Sequence, residues 1–434
     1  MSILPRRFPR LSVLRRAQEG MISSSCPLAP SSLLLLGFAL LLLGACAGAS
    51  APEPGRNPYP GYAHHVPPGT TFDMTLGREL TEAESVLGLD RARVVFLGEH
   101  HTEPRSHLFQ ERVLRMLIDS GRPVQVTLEM FPPEVDPVLE DWRQGRLDEK
   151  TFLARSEWYT HWGFPWGYYR PLFLLAREFN IPLHGVNASK ETRRIVRKGE
   201  LDDLSPEKRA LVGDLAESLP PHERYVFDAL NSEEHGGDIA PGSPVFQRFL
   251  RVQRLWDRLM GIRTARLAAA QSDRGVTVLL VGAGHLAHGL GANLWAAREA
   301  GLPALTVWDT VVPEEALTPD GMARVPLGIG DWVRVYLEEP DRVPLPILRG
   351  IKFAQEEDGL QVTKISAFHG SALKGLRKGD RILSFNDLAI EDEVSLRLAY
   401  ETVGKKKALL EVVRDGKQVA IDITPKSNPH GEGG

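Results

Sequence analysis

The feature that most constrains the fold of this chain is the alternation of short apolar runs with segments of helical periodicity. The runs at 92–98, 123–131 and 275–282 are rich in valine and leucine, and the segment 106–121 repeats apolar residues at helical spacing before a glycine. Strands with continuous apolar sequences are typical of parallel sheets that helices cover on both faces. We therefore predict an α/β domain with a mainly parallel sheet, helices on both faces and a helical insertion over residues 188–275.

The length and the charge of the chain limit its domain number and its partners. The 434 residues suffice for two domains, and a formal net charge of −4 gives no general attraction to nucleic acid. A proline-rich stretch near residue 340 separates the α/β region from a part with shorter strands. We place the α/β domain at residues 72–336 and a small β-rich domain at 345–426, followed by a disordered tail at 427–434.

The N-terminus has the features of an export signal. Arginines precede the apolar run SLLLLGFALLLLGA at 32–45, which ends in small residues. The run is short for a spanning helix of about 20 residues, and an uncleaved membrane anchor is the alternative. Residues 43–46 resemble the lipobox of bacterial lipoproteins, which implies removal of residues 1–45 and lipidation of Cys46. Residues 46–71 are rich in proline and glycine and are predicted to form a tether.

The same resemblance implies a location in the bacterial cell envelope. Ala47, rather than an aspartate, follows Cys46, which by analogy with Gram-negative lipoproteins implies an anchor in the outer membrane and a domain that faces the periplasm. Cys26 is the other cysteine of the sequence, and it would be removed with the signal. The mature chain would then have one lipidated thiol and no disulfide.

Acidic and imidazole side chains stand at the ends of the strand-like runs. Glu99 and His101 follow the run VVFLG, His285 follows the run VTVLLV and its glycine, and Glu129 closes the run VQVTL. The carboxyl ends of parallel strands meet at one edge of a sheet. If these strands are neighbours, we expect the four side chains to share a crevice.

Two chemistries suit this set of side chains. Glu99, His101, Glu129 and His285 could bind a divalent transition metal. Alternatively, Glu99, His101 and His285 could act as acid and base on a bound substrate. A strand-end histidine is often a hydrogen-bonded structural residue, and this interpretation stays open. The sequence contains no G-x-S-x-G motif, so a hydrolase of this kind would need the metal.

The glycine-rich stretch after residue 281 has a second interpretation. Gly282, Gly284 and Ala287 match the G-x-G-x-x-A fingerprint of dinucleotide binding, and Asp309 stands where a ribose-binding acid would be. However, the fingerprint comes late in the domain, and an exported protein meets little NAD. We therefore favour the interpretation based on the histidines.

Several motifs together resemble one family. VVFLGEHHTEPRSHLFQERVLRML, LEMF, WGFPWGYYRPLFLLAREFNIPLHGVNAS, VQRLWDRLM and VGAGHLAHGLG occur in family order and are similar to the ChaN-like lipoproteins, in the wider group of Tiki/TraB proteins and erythromycin esterases. The resemblance implies an open α/β fold that binds haem in iron uptake through an aromatic ligand. Tiki-type relatives use the paired glycine–histidine motifs as a metal-dependent protease site, so the resemblance implies a hydrolase as the alternative.

The stretch WYTHWGFPWGYYRP at 158–171 is the most aromatic part of the chain. Because glycine and proline interrupt it, we expect a loop that contacts haem or another flat ligand, with core packing as the alternative. Haem needs flat walls, an axial ligand and cations for its propionates. Tyr169 is the preferred axial ligand, Tyr159 and His161 are further candidates, and Arg170 is the candidate cation.

Two further pairs of residues lie close to these motifs in the sequence. His107 and Gln110 share one helical face after the first motif, so we expect them to support the site. Trp256 and Asp257 belong to the family-like LWDRLM motif. They would either close the pocket or form a buried pair.

The C-terminal region resembles a PDZ domain. The matching pieces are the loop at 348–351, the segment SALKGLRKGDRILSFND and the helix EVSLRLAYETV. A glycine in the loop frees backbone N–H groups for a peptide carboxylate. The resemblance implies that Leu348, Arg349, Gly350 and Ile351 bind the C-terminus of a peptide or protein partner.

The predicted helix at 246–271 has a series of arginines: Arg248, Arg251, Arg254, Arg258 and Arg263. Such a series could dock on anionic lipid, although a solvated helix face is the usual interpretation. The sequence as a whole predicts a lipid-anchored envelope protein that binds haem or an iron complex and recruits a partner through its PDZ module. A metal-dependent hydrolase is the alternative.

Overall fold

The computed structural model describes residues 62–215, 219–231, 239–240, 242–339, 348, 350–357, 359–365, 375–403 and 406–423. The predicted signal peptide (1–45), Cys46, the tether up to residue 61, Arg349 and the tail (427–434) lie outside these residues. Within the described part of the chain, no helix is long and apolar enough to cross a membrane.

The described strands and helices are as follows. The strands are β1 (Ala63–Val66), β2 (Thr71–Asp73), β3 (Arg78–Glu79), β4 (Val94–Glu99), β5 (Val124–Leu128), β6 (Leu183–Gly185), β7 (Val276–Gly282), β8 (Ala304–Val312), β9 (Ala323–Pro326), β10 (Trp332–Leu337), β11 (Ile351–Glu356), β12 (Gly359–Ile365), β13 (Arg381–Phe385), β14 (Leu388–Ala389), β15 (Leu409–Arg414) and β16 (Lys417–Asp422). The helices are α1 (Glu82–Arg91), α2 (Pro104–Asp119), α3 (Asp136–Arg143), α4 (Glu149–Arg155), α5 (Trp158–His161), α6 (Trp166–Glu178), α7 (Lys190–Lys198), α8 (Pro206–Val212), α9 (Pro220–Leu230), α10 (Pro244–Ala270), α11 (Ala292–Ala300) and α12 (Glu393–Glu401).

An eight-stranded sheet lies at the centre of the first domain, in the order β3-β2-β10-β8-β4-β7-β5-β6. The six strands from β10 to β6 run parallel, whereas β2 and β3 pair antiparallel at one edge. The prediction of a mainly parallel sheet is confirmed. The strands β4 and β7 are neighbours, with Glu99 level with Gly282, so the two glycine–histidine motifs emerge side by side.

Helices cover both faces of this sheet, as predicted. Along β4, Val95 and Leu97 belong to the apolar cluster that includes α2 and α6. The alternate residues, Val94 and Phe96, belong to the cluster that includes α10 and α11. Successive side chains of a strand point to opposite faces, so burial on both sides explains why this strand has an unbroken apolar sequence.

The helical insertion is also confirmed in the described part of residues 188–275, which contains α7 to α10. The long helix α10 begins after Ser243, whose side chain accepts a hydrogen bond from the backbone N–H of Phe246. Pro244 occupies the first turn, where a missing N–H costs nothing. This helix crosses the back of the sheet and brings Asp257 to the edge that carries the histidines.

The aromatic stretch is not the loop that its glycines and prolines predict. It forms α5 and the start of α6, and Pro165 precedes the first turn of α6. A proline at this point does not break the helix, because the N–H groups of the first turn have no partner within the helix. Burial of the large rings of Trp158 and Trp166 then favours the helical packing.

Part of the predicted tether belongs to the folded domain. Residues Ala63–Val66 form β1, which pairs antiparallel with β9, and β2 begins at Thr71. Because backbone pairing to a distant strand orders a segment whatever its composition, the proline and glycine content did not reveal this strand.

The dinucleotide interpretation does not fit the chain geometry after β7. The fingerprint needs a helix directly after the strand, whose N-terminus faces the pyrophosphate. In the structure, two short 3-10 turns follow β7, and α11 begins only at Ala292.

The second domain is an antiparallel sheet in the order β11-β12-β13-β15-β16, with β14 beside β13 and α12 packed against it. Asp392 caps α12 by accepting a hydrogen bond from the backbone N–H of Ser395. Gly350 and Gly379 have φ values of 74° and 94°, which side chains with a Cβ rarely adopt. The prediction of a small β-rich domain is confirmed.

Candidate functional site

Glu99, at the end of β4, has hydrogen-bond partners on both carboxylate oxygens. Its Oε1 accepts a bond of 2.6 Å from the Tyr169 hydroxyl and lies 2.9 Å from Nδ1 of His101. Its Oε2 accepts a bond of 2.8 Å from Gln110, and Nδ1 of His107 lies 3.7 Å away. Burial opposes ionisation, but His107 and His101 outweigh it and lower the pKa of Glu99 to about 2. The predicted support from His107 and Gln110 is confirmed.

Glu129 and His285 form a second pair, beyond the ends of β5 and β7. Oε2 of Glu129 accepts a bond of 2.6 Å from the backbone N–H of Gly282, and Oε1 lies 3.3 Å from Nε2 of His285. Nδ1 of His285 lies 2.5 Å from Oδ1 of Asp257. Burial opposes the charged form, but Asp257 and Glu129 raise the pKa of His285 to about 10. The imidazole therefore carries a positive charge at neutral pH.

Behind this second pair lies His222, a buried histidine that the sequence did not indicate. Oδ2 of Asp257 lies 3.0 Å from Nε2 of His222, and both residues are buried. Asp257 is therefore buried with His222 and His285 as its partners, whereas the predicted buried pair joined it to Trp256. No motif marks His222, because α9 is remote in sequence from every strand end and its residues have no special spacing.

The two carboxylate–imidazole pairs meet above Gly282. A Cβ at this position would lie 2.9 Å from Cε1 and 3.0 Å from Nε2 of His101, and 3.6 Å from Oε2 of Glu129. His101 therefore occupies space that only a glycine leaves open. The structure brings His101, Glu129 and His285 to one crevice, as expected from neighbouring strands.

The side chains predicted to bind a metal form two pairs: His101 lies 2.9 Å from Glu99, and His285 lies 3.3 Å from Glu129. Among the described residues, no group of three or more His, Cys, Asp or Glu is arranged to hold a metal ion. The crevice has the components of acid–base chemistry: the charged imidazole of His285 beside Glu129, and the imidazole of His101, whose side chain is 24% exposed. Trp162 and Phe164 flank the His101 ring, with centroids 4.8 and 4.6 Å away.

The aromatic segment, which we define as residues 158–170, has an inner and an outer face. The inner face includes Trp158, Trp166 and Tyr169, which are wholly buried, so core packing accounts for these rings. The outer face includes His161 and Trp162, which are partly exposed. Only this outer face is open to a flat ligand.

The structure places the four candidate haem residues in different surroundings. The Tyr169 hydroxyl is buried against Glu99, and burial with the charge of Glu99 raises its pKa well above the usual value. The Tyr159 hydroxyl donates to Glu401 at 2.8 Å, and Nε of Arg170 lies 2.7 Å from Glu149. His161 packs against Phe131, with ring centroids 6.4 Å apart.

The predicted peptide-binding loop is described at Leu348, Gly350 and Ile351. The carbonyl of Leu348 accepts a hydrogen bond of 2.7 Å from Nη1 of Arg397. Ile351 begins β11, which lies at an edge of the PDZ-like sheet. An edge strand beside a glycine-containing loop is the arrangement that strand addition of a peptide requires.

The comparison with protein families agrees with this geometry. Residues 86–295 match the model described as haem-binding uptake, Tiki superfamily, ChaN. The first domain is a ChaN-like domain of the Tiki superfamily. Residues 349–424 match the PDZ domain model, so the second domain is a PDZ domain. Among proteins with curated descriptions, none matches the chain.

Solved structures that match parts of this chain include the following three. ChaN of Campylobacter jejuni, in a structure described as cofacial haem binding, is 17% identical, with 61% of this chain and 95% of that chain covered and a TM-score of 0.46. An erythromycin esterase mutant in its open conformation is 13% identical, with 59% and 83% covered and a TM-score of 0.33. The PDZ domain of EpsC from Vibrio cholerae is 22% identical, with 17% and 74% covered and a TM-score of 0.14.

Proposed function

We propose that the ChaN-like domain binds haem on the outer face of the aromatic segment, with His161 as the ligand to the iron. The observation that carries this proposal is the position of His161. Its ring is partly exposed, and among the described residues no hydrogen bond is recorded for its imidazole nitrogens. The hydroxyls of the other two candidate ligands, Tyr169 and Tyr159, donate to Glu99 and to Glu401, so His161 is the candidate whose donor atoms have no hydrogen bond within the described part of the chain.

The charge state of His161 suits iron. Burial and the neighbouring Lys190 lower the pKa of this imidazole. The ring is therefore neutral at neutral pH, and a neutral imidazole has the lone pair that a metal ion needs. Trp162, the next residue, offers a flat aromatic ring beside it.

A candidate cation for a propionate lies on α7. Besides burial, the charges of Lys190 and Arg193 both lower the pKa of His161. Lys190 is already paired with Glu157 at 3.0 Å, and Arg170 is paired with Glu149, whereas Arg193 has no ion pair among the described residues. Haem bound here would supply an iron centre for uptake or transfer, while this chain would hold it between an imidazole and a cation.

Tyr169 and Tyr159 remain sequence-based candidates for the axial ligand. For iron to bind Tyr169, its hydroxyl would have to leave Glu99 and the apolar core. For iron to bind Tyr159, its hydroxyl would have to leave Glu401. Breaking a buried hydrogen bond of this kind costs about 1–3 kcal/mol, which favours His161.

The test is a haem titration of the purified chain followed in the Soret region. His161→Ala should weaken haem binding on the order of 100-fold, since even residues that only support a metal ligand contribute 10- to 100-fold to affinity. His65→Ala, at an exposed histidine on β1, is the matched control and should bind as the parent does. Tyr169→Phe and Tyr159→Phe should keep most of the affinity.

Two results would count against this proposal. Absence of a Soret band at micromolar haem would exclude haem binding altogether. A band that is lost with Tyr169→Phe and kept with His161→Ala would move the iron to Tyr169, and would mean that the core opens when haem binds.

Acid–base hydrolysis is a second candidate function, which the meeting of two carboxylate–imidazole pairs above Gly282 favours. His101, held by Glu99, would take a proton from the attacking water, and the charged imidazole of His285 would stabilise developing negative charge. In this form, the water replaces the metal that we expected a hydrolase to need. Turnover of p-nitrophenyl acetate should then be lost with His101→Ala and kept with His65→Ala. Equal rates for both variants would rule out a role for this crevice.

We also propose a location and a partner for the chain. We place the chain in the cell envelope, anchored by a lipid on Cys46, with the PDZ domain recruiting the C-terminus of a peptide or protein. Metabolic labelling with palmitate should mark the parent and not Cys46→Ser. Display of random C-terminal peptides should select ligands that Gly350→Trp no longer binds, because a side chain at this position is strained and blocks the loop.

A further inference from the structure

We propose that the start of α10 and the end of α7 form a docking surface for an anionic phospholipid membrane, separate from any lipid anchor. An open cleft of about 660 Å³ lies between the two helices. Four cations line it: Arg197 and Lys198 from α7, and Arg248 and Arg251 from α10. We call these four residues and the cleft between them the basic cleft.

The charge of the basic cleft is largely uncompensated. Glu200 is the carboxylate in its lining, and it lies 3.5 Å from Lys198. Within the part of the chain that the structure describes, no ion pair is recorded for Arg197, Arg248 or Arg251. Arg251 instead donates from Nη2 to the backbone carbonyl of Arg197 at 3.4 Å, which ties the two walls together.

The remaining arginines of α10 have partners within the chain. Arg254 bonds to the carbonyl of Leu215 and to Glu223, and Arg258 bonds to the carbonyl of Leu211. Arg263 bonds to Asp136, and Arg266 bonds to Glu299. Arg248 and Arg251, near the start of the helix, are therefore the arginines of α10 that are available to a partner at the cleft.

Exposed apolar side chains lie directly beside these arginines. Val245 is 52% exposed and Phe249 is 38% exposed, and at i and i+4 they share one face of α10. Arg248 borders this face, whereas Phe246 and Leu250 point inward and are buried. The first two turns of α10 thus present cations and an apolar pair to solvent side by side.

This combination selects a membrane over other anionic partners. A soluble phosphate compound would use the cations and leave Val245 and Phe249 in water. At a bilayer surface, the cations lie among the headgroups and the apolar pair enters the boundary with the acyl chains. One partner then neutralises the cations and removes the apolar side chains from water.

The test measures how strongly the full chain prefers anionic vesicles. Phosphatidylcholine vesicles with and without phosphatidylglycerol are sedimented with the protein, and the ratio of the two partition coefficients is recorded. Every protein carries Cys46→Ser, so that no acyl chain is attached there. The N-terminal apolar run and the arginines before it are the same in every variant, so their contribution cancels when the ratio of a variant is compared with the ratio of the parent.

Arg197→Gln with Arg248→Gln should lower the ratio about 25-fold, since each cation near an anionic surface contributes about fivefold. Arg91→Gln with Arg266→Gln removes the same charge from exposed helical positions elsewhere and should leave the ratio unchanged. Phe249→Ala should lower binding to the anionic vesicles several-fold, whereas Leu108→Ala, at a leucine that is 61% exposed, should not.

Two results would overturn the assignment. A ratio close to one for the parent chain would show that the basic cleft does not distinguish anionic from neutral lipid. A fall in the ratio that is equally large for the control pair would show the same. If soluble polyglutamate binds the parent and Phe249→Ala equally well while phosphatidylglycerol adds nothing, the surface belongs to an acidic protein instead.

Discussion

Glu401 of the PDZ domain accepts a hydrogen bond from the Tyr159 hydroxyl of the ChaN-like domain, at 2.8 Å. The same carboxylate accepts the backbone N–H groups of Trp166 and Gly167, at 2.9 and 3.1 Å. These residues begin α6, and a helix N-terminus has unpaired N–H groups and a partial positive charge. Glu401 therefore caps a helix of the other domain, within the aromatic segment.

The first prediction concerns this cap. Glu401→Ala leaves buried donors unpaired, so we expect a loss of about 1–3 kcal/mol in the free energy of unfolding. Amide hydrogen exchange at Trp166 and Gly167 should accelerate in parallel. Glu391→Ala removes a carboxylate from an exposed contact with Lys150 and should change stability by less than about 0.5 kcal/mol. Unchanged exchange at both amides in Glu401→Ala would contradict the capping role.

The second prediction is a pH dependence of the same contact. Burial raises the pKa of the Glu401 carboxyl, so the folded chain binds this proton more tightly than the unfolded chain does. The contribution of this group to stability is then complete below the usual pKa of about 4.3 and declines as the pH rises through the raised value. Thermal unfolding should show this decline in the parent. Glu401→Gln keeps an acceptor without a titrating proton, so its curve should be flatter across this window, and parallel curves would refute the prediction.

The third prediction compares alanine substitutions at two glycines of one motif, Gly282 and Gly284. Gly282→Ala would force the His101 ring to move, and because Glu99, Trp162 and Phe164 hold this ring, we expect a loss of about 1–3 kcal/mol. At Gly284, the nearest atom to an added Cβ is the Tyr225 hydroxyl at 3.6 Å, an ordinary contact. Gly284→Ala should change stability by less than about 0.5 kcal/mol. Urea unfolding of both variants gives the comparison, and equal losses would contradict the close approach of His101.

The fourth prediction concerns Asp257 and His222, the buried residues behind His285. Asp257→Ala would leave the imidazoles of His285 and His222 without their shared carboxylate, and removal of one partner of a buried ion pair costs about 3–5 kcal/mol. Asp228→Ala breaks an exposed pair with Arg224 and should cost less than about 0.5 kcal/mol. Denaturant unfolding measures both. A loss for Asp257→Ala no larger than for the control would mean that water or another group replaces the carboxylate.

Much of the crevice could be predicted from local patterns. The unbroken apolar runs of β4 and β7 predict parallel strands, whose carboxyl ends lie at one edge of the sheet. His101 and His285 were expected to come together if the two strands were neighbours, and the structure shows that they are. Helical spacing also placed His107 and Gln110 on the side of α2 that reaches Glu99. These inferences succeed because strand and helix periodicities fix which way a side chain points.

Other parts depended on contacts between distant residues. His222 reaches Asp257 only because α9 packs on α10, and Glu401 reaches α6 only because two domains meet. The aromatic segment was predicted to be a loop because its prolines and glycines were judged locally, whereas burial of its rings favours helices. No spacing rule contains such information, since it arises from the packing of elements that are remote in sequence.

The sequence by itself determined the sheet, its covered faces and the edge that carries the acidic and imidazole residues, because these follow from periodicity. The PDZ domain was predicted from the resemblance of its motifs to that family. Only the tertiary structure decided which partner each side chain has: Tyr169 donates to Glu99 in the core, His161 stays on the outer face, and two arginines of α10 remain free of ion pairs among the described residues. The physical reason is that burial and pairing are properties of the space between elements, which the order of residues along one element does not specify.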